Sequence, residues 1–335
     1  MEWSCPDDHE RLSARANVLV CAGCGREYPI VDGIPVFTRD GRVNGGAQQT
    51  SPVLDELWQS MQAKTASQAA AEMCGKHGCT RSMYNADWKF FLPAATEGPT
   101  LELGAGFGED SLDLGGPAGT SVLVVPNVLN ARIVSKHLGE RSDRDWPVAV
   151  LTDLTRLPLA DGSVQSVSLE DVAAAGFGLT DAGLRAVANE WKRVLARNGV
   201  VFIGVSNGLH RLPGLKRLRT VLRARPRAES LNRLVKRSVV LRAGRGLSPW
   251  RTIRTMAQLG FGAPVVYAPL PDENDIQVVI PVADKCVVRY FLNNLVRKNS
   301  RIVRIALRLC NLTVTLGLFR RLVPYYYLIF RSGSS

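Results

Sequence analysis

Apolar residues along this 335-residue chain cluster in short strand-like segments that alternate with segments of helical spacing. That is the pattern of an α/β sheet covered on both faces. Runs at 100–105, 121–125, 148–152, 164–169 and 200–205 predict five strands. Leu184, Val187, Trp191, Val194 and Leu195 recur at helical spacing and predict a helix over 181–196. A helix near 250–259 and two short strands at 265–267 and 277–280 follow, the strands pairing as an antiparallel hairpin at the sheet edge. The alternation predicts a doubly wound, seven-stranded, largely parallel sheet over residues 84–284.

Other segments lie outside this alternation. Residues 1–40 are Cys-containing and rich in turns, 41–83 form a polar linker with helical character, 208–247 interrupt the core, and 285–335 extend it. Charge divides along the same lines. The net charge is +12, yet residues 208–254 hold 14 Lys/Arg against the single acid Glu229, and residues 285–335 hold 10 and no acid. The remainder is therefore acidic, and the two basic segments point to a polyanionic partner or surface.

In the insertion, Leu212, Leu215, Leu218 and Leu222 share a helical face among Lys216, Arg217, Arg219 and Arg223. Such helices would form a lid suited to an anionic membrane or to RNA phosphates. In the tail, Ile302, Val303, Ile305, Leu307 and Leu309 lie among Arg301, Arg304 and Arg308, and Arg320 and Arg321 precede a tyrosine-rich run over 324–330. The tail from Val287 to Phe330 is expected to be an interfacial anchor, with a helix pair packed on the core as the alternative. The stretch 309–319 is too short to span a bilayer. With no N-terminal hydrophobic signal, a cytoplasmic location, peripheral on the inner membrane face, is expected.

Seven cysteines, an odd number, suggest metal ligands more than disulfides. Cys5 and the pair Cys21-Ala22-Gly23-Cys24 have zinc-knuckle spacing, but Asp8 stands where a second cysteine would close the first half, with His9 beside it. Either could complete a tetrahedral site; the expected set is Cys5, His9, Cys21 and Cys24. Cys74 and Cys79 are read as incidental thiols beside a helix end. The segment from Arg26 through Tyr28-Pro29-Ile30-Val31-Asp32-Gly33 to Phe37 resembles the end of Trm112-like zinc-ribbon domains. The resemblance implies a module that supports a methyltransferase, either as partner or by fusion.

The run Thr100-Leu101-Glu102-Leu103-Gly104-Ala105-Gly106-Phe107-Gly108 reads as a strand turning through alternate glycines into a helix. With Glu102 it resembles the first motif of class I S-adenosylmethionine-dependent methyltransferases. Asp153-Leu154 with the following Leu157-Pro158 and Asp161-Gly162-Ser163-Val164, Trp191 to Gly199, and Gly260-Phe261 are similar to that family's later motifs, so the resemblance spans about residues 85–282. It implies backbone contact with the cofactor at Gly104, Ala105, Gly106 and Gly108. It also implies an orienting role for Glu102 toward the methionine amino group and adenine recognition at Asp153 and Leu154. Asn127 stands near the position of the family's ribose-gripping acid, and Gln165 replaces another expected acid.

Glu170 and Asp171, after the fourth strand, are the candidate catalytic groups, with helix capping as the plain alternative; His210 is a further candidate. The segment Tyr267-Ala268-Pro269-Leu270-Pro271 looks like methyltransferases of polysaccharide and glycolipid pathways. The chain is therefore expected to methylate a membrane-associated saccharide, glycolipid or similar small acceptor. The alternatives are an RNA methyltransferase and a non-catalytic binding protein on the same fold.

Overall fold

The computed structural model describes residues 2–38, 52–78, 98–108, 121–141, 146–170, 176–207, 231, 234–235, 247–272, 275–295, 301–323 and 325–333. Most of the basic insertion, with His210, and Asp171 and Cys79 lie outside them.

The chain begins with a four-stranded antiparallel meander, β1 (Leu12–Arg15), β2 (Val18–Cys21), β3 (Glu27–Val31) and β4 (Ile34–Phe37). Asp32 and Gly33, both at positive φ, form the two-residue turn between β3 and β4. Asp-Gly is suited to such a turn because both central residues of the tight hairpin need φ > 0. The meander is not a detached module: β4 pairs in parallel with β7 (Val148–Leu151) and extends the main sheet.

That sheet contains β5 (Thr100–Leu103), β6 (Ser121–Val125), β7, β8 (Val164–Glu170) and β9 (Leu195–Ser206), all parallel, in the order β7-β6-β5-β8-β9. Each expected strand is present. The chain winds outward one way from β5 to β7, then resumes on the other side of β5 with β8. Ligands of open α/β sheets settle where the winding reverses, at the carboxyl ends of the strands. Helix α3 (Val128–Arg141) follows β6 and α4 (Leu184–Val194) precedes β9, with Leu184, Val187, Trp191 and Val194 of α4 fully buried, as their spacing predicted. Between the meander and β5, α1 (Pro52–Ala63) and α2 (Ala66–His77) share an apolar cluster with Phe107, Ile133, Leu231 and Val235. Thr65 and Gln68 close a capping box at the start of α2.

Among the described residues the sheet has twelve strands: the seven expected of the core, the four of the meander and one more from the C-terminal segment. After α5 (Pro249–Gln258) come β10 (Val265–Asp272) and β11 (Asp275–Pro281), the predicted edge hairpin, and then α6 (Lys285–Leu295), α7 (Arg301–Thr315) and the short α8 (Phe319–Leu322). The chain then returns as β12 (Tyr325–Arg331), which inserts antiparallel between β9 and β10. This corrects the expected interfacial anchor at its tyrosine-rich end. Tyr325, Tyr326, Tyr327, Leu328 and Phe330 are all buried, and the uncharged run that suggested a membrane surface is the signature of a strand covered on both faces. Gly204 of β9 makes the insertion fit, since a Cβ there would lie 2.5 Å from the Tyr325 hydroxyl. Among the described residues no helix is long and apolar enough to cross a membrane.

Candidate functional site

The carboxyl ends of β5 to β9 form one rim, and most of the sequence-predicted cofactor residues stand on it. At β5, Gly104, Gly106 and Gly108 have φ of 76°, 63° and 84°, so three residues of five sit in the left-handed region that side chains oppose. The Gly104 N–H donates to Val124 O at 2.7 Å and the Gly108 N–H to Ala105 O at 2.8 Å, closing the turn. A Cβ on Gly108 would meet Leu138 at 3.3 Å and Val134 at 3.4 Å, so this glycine serves close packing on α3. Glu102, 3% exposed, is a buried carboxyl one residue before the end of β5.

At β6, Asn127 has a different occupation from the one expected. Its Oδ1 accepts the Asn130 N–H at 2.8 Å, the bond of a helix N-cap. The same oxygen that was expected to meet a ribose hydroxyl thus also caps α3, with one lone pair engaged by the Asn130 N–H. Asn130, which the sequence reading passed over, is 1% exposed, and its Nδ2 donates to Gly106 O at 2.8 Å. It ties the first turn of α3 to the glycine loop. The repeat Asn-x-x-Asn directly after a strand was the available signal.

At β7, Asp153 Oδ1 accepts the Thr155 N–H at 3.0 Å and the Thr155 hydroxyl at 2.6 Å. This side-chain turn fixes the carboxyl at the strand tip. Leu154 is buried in the main core cluster. Glu170 ends β8 opposite Gly204 of β9 and is half-buried. At the end of β9, buried Asn207 donates through Nδ2 to Arg321 O at 2.7 Å and Val323 O at 2.9 Å, anchoring the entry to β12. Tyr326, buried beside it, has its phenol pushed up by burial, against a hydrogen bond from Asn207 that lowers it.

The second centre is in the meander. Donor atoms of Cys5, Asp8, Cys21 and Cys24 all lie within 4.8 Å of one another. Asp8, not His9, is the fourth member. The His9 N–H returns to Cys5 O at 2.9 Å with His9 at φ 62°, and this tight loop leaves the imidazole exposed while the carboxylate joins the cysteines. The Cys21 thiol donates to Asp8 Oδ1 and Oδ2 at 3.3 and 3.2 Å. That bond, with the Glu10 N–H, holds the Asp8 carboxyl low, at about 2. At Cys24 the Arg26 N–H opposes the shift, but desolvation and the neighbouring Cys21, Cys5 and Asp8 outweigh it and push the thiol up to about 12. Burial raises Cys21.

These residues fit zinc. The Cys5 to Cys24 sulfur separation is 3.7 Å. A tetrahedron with Zn–S bonds of ~2.3 Å has an edge of about 3.8 Å. Gly23 leaves room for the carboxylate, because a Cβ there would lie 2.8 Å from Asp8 Oδ2. Among the described residues Cys74 takes no part in this group.

The two centres are joined. Asp7, between Cys5 and Asp8, pairs with Arg26 of the meander and with Arg156 of the core, and the Arg156 N–H donates to Asp153 O at 3.2 Å. The Ser4 N–H donates to Pro158 O at 3.1 Å. A small open cleft lies at this junction, lined by Asp7, Arg26, Tyr28, Leu151, Asp153 and Arg156 among others.

Solved structures similar to this chain include a complex containing the Haloferax volcanii Trm112 methyltransferase activator, at 13% identity and a TM-score of 0.45, covering 84% of this chain and 98% of that one. A SAM-dependent methyltransferase of Thermotoga maritima aligns at 13% identity and TM-score 0.43, over 74% and 88% of the two chains. Another from Methanosarcina mazei aligns at 10% and 0.43, over 72% and 94%. At these values the likeness carries no functional argument. A comparison with curated proteins gives no match. Residues 4–33 match the family model described as Trm112p-like protein, so the chain carries a Trm112-like segment, and β4, which follows it directly, is hydrogen-bonded into the edge of an open α/β sheet.

Proposed function

We propose that this chain is an S-adenosylmethionine-dependent methyltransferase with a structural zinc ribbon, acting on a membrane-associated saccharide, glycolipid or similar small amphiphile. The observation that carries the proposal is the glycine turn at Gly104, Gly106 and Gly108, held at positive φ where the sheet reverses its winding. A backbone so bared can lie against a ligand, and the buried Glu102 carboxyl stands at its base. Bound S-adenosylmethionine would supply an electrophilic methyl group. The protein's own share is positional: Glu102 and the backbone at Gly104, Ala105 and Gly106 hold the amino-acid and ribose portions, and Asp153 and the Leu154 backbone hold the adenine. Methyl transfer needs in-line approach, for which fixed geometry supplies much of the acceleration. Glu170, on the adjoining strand end, would accept the acceptor's proton. Zinc at Cys5, Asp8, Cys21 and Cys24 would hold the ribbon that covers the β7 edge and, through Asp7 and Arg156, the Asp153 turn.

The charged ribose grip implied by the family resemblance is absent at Asn127, which forgoes about 1–2 kcal/mol and lowers affinity without preventing binding. Titration calorimetry with S-adenosylmethionine tests the proposal. Micromolar binding, lost in Glu102→Gln and Gly106→Val, is the expected outcome; millimolar or absent binding to the zinc-loaded protein refutes it in favour of a non-catalytic protein on this fold.

A further inference from the structure

Helix α7 has two apolar faces. Leu307, Cys310 and Val314 point into the main core cluster. On the opposite side Ile305, Leu309, Leu312 and Leu316 are 58%, 54%, 53% and 61% exposed. At 100° per residue these four fall within about 60° of arc, and they run for about 16 Å along the axis. The Leu316 N–H still bonds to Leu312 O at 3.0 Å, so the stripe keeps helical geometry past the last helical residue. Isolated surface leucines are ordinary, but four in line are a patch with a purpose.

The surroundings of the stripe name its partner. Arg301, Arg304 and Arg308, all exposed, project from one flank. Helix α6 runs antiparallel beside them, where Arg289 bonds to the Thr315 hydroxyl at 2.8 Å and Lys285 to Thr315 O at 3.3 Å. Residues 285–335 contain no acid that could neutralise this rim. We infer that this face of α7 docks in the plane of a bilayer surface containing anionic lipid. The leucines would enter the headgroup–acyl boundary while the flanking arginines remain among lipid phosphates. A second copy of the chain fits poorly, since pairing two such faces brings their arginine rows together. A nucleic acid would leave the aliphatic stripe against phosphate and water. The face also deepens the proposed function, because it would hold the catalytic rim at the membrane where an amphiphilic acceptor resides.

Sedimentation of the 335-residue chain with vesicles tests the inference. The protein should pellet with phosphatidylcholine–phosphatidylglycerol vesicles, remain in the supernatant with phosphatidylcholine alone, and be released by salt. The double variant Leu309→Ser/Leu312→Ser should bind anionic vesicles at least ~10-fold more weakly, from the apolar area no longer buried, with its melting temperature unchanged. Failure of the wild-type protein to pellet would overturn the inference. So would a serine variant that pellets like wild type, or one whose effect is to dissociate a dimer. Cofactor calorimetry on the same samples is a separate readout, so failure of docking and failure of the proposed catalysis are distinguishable.

Discussion

The side-chain amide of Asn130 donates to the carbonyl of Gly106 at 2.8 Å, and Asn130 is 1% exposed. Helix α3 and the glycine turn are thus fastened at one buried point. Replacing Asn130 with Ala leaves the Gly106 carbonyl without this donor, at a cost of about 1–3 kcal/mol. The melting temperature should fall by a few degrees, and cofactor affinity should fall with it because the turn loses its brace. Calorimetry alongside thermal unfolding checks both. A variant that is less stable but binds cofactor unchanged would show that the bond serves α3 alone.

Asn127 makes the complementary case. Because its Oδ1 caps α3, Asn127→Ala should cost about 1 kcal/mol of stability. Cofactor affinity should change by less than ~3-fold. Asn127→Asp keeps the cap and adds a charge that favours a helix N-terminus by about 0.3–1 kcal/mol. A large affinity loss in the alanine variant, at near-native stability, would identify Asn127 as a ribose ligand.

What the sequence disclosed follows from these contrasts. Strands β6, β7 and the second half of β9 were legible because parallel strands covered on both faces are nearly continuous apolar runs. In contrast β5 and β8, which carry Glu102, Ser166 and Ser168, were legible from the glycine turn and the Asp161-Gly162 turn beside them. β12 was misread because its Tyr-rich run after Arg320 and Arg321 satisfies an interfacial anchor equally well, and only Gly204, far away in the chain, has the space that admits Tyr325. Asn127 is ambiguous because a strand-end amide can cap the next helix, meet a ligand, or do both. Between Asp8 and His9, spacing alone offers no choice. The backbone, with His9 at positive φ, is what brings the Asp8 carboxylate beside the cysteines.

Acid should act first on the α1–α2 pair. Glu72 bonds to Ser60 of α1 at 2.6 Å and to Lys64 at 2.7 Å, and chiefly the Lys64 bond lowers its carboxyl to about 2. Glu56 is lowered in the same direction by Lys76, then His77. A carboxyl depressed in the folded state contributes stability above its ordinary value near 4.5, and that contribution is lost as pH falls toward the folded value. Amide exchange across 52–77 should therefore accelerate, relative to the β5–β9 core, between about pH 4.5 and 2. Uniform exchange over both regions would contradict this.

Gly204→Ala places a methyl group 2.5 Å from the Tyr325 hydroxyl and 3.3 Å from its ring. Overpacking of this kind costs about 1–3 kcal/mol. Tyr325→Phe removes the nearest atom, so the double variant should recover part of the loss, and a double-mutant cycle in denaturant gives the coupling. Simple additivity would mean that β12 is not seated on Gly204.

Zinc content offers the sharpest test of the N-terminal centre, because two neighbouring residues compete for one coordination position. Asp8 lies with the three cysteines and His9 does not. Asp8→Ala should weaken zinc binding at least ~10-fold in competition with a chromogenic chelator, since one of four donors is gone. His9→Ala should leave affinity and stoichiometry unaltered. Asp8→Cys supplies a fourth thiolate and should equal or exceed the native affinity, although the longer Zn–S bond has to be accommodated over Gly23. The effect should reach the core as well. Asp7 shares the Cys5–Asp8 loop and pairs with Arg156, whose N–H holds the Asp153 carbonyl. Chelation should therefore lower the melting temperature of the whole chain, in proportion to RT ln(1 + [Zn]/Kd), and not release the ribbon alone. If His9→Ala loses zinc while Asp8→Ala retains it, the knuckle closes through the imidazole and the loop must refold around the metal.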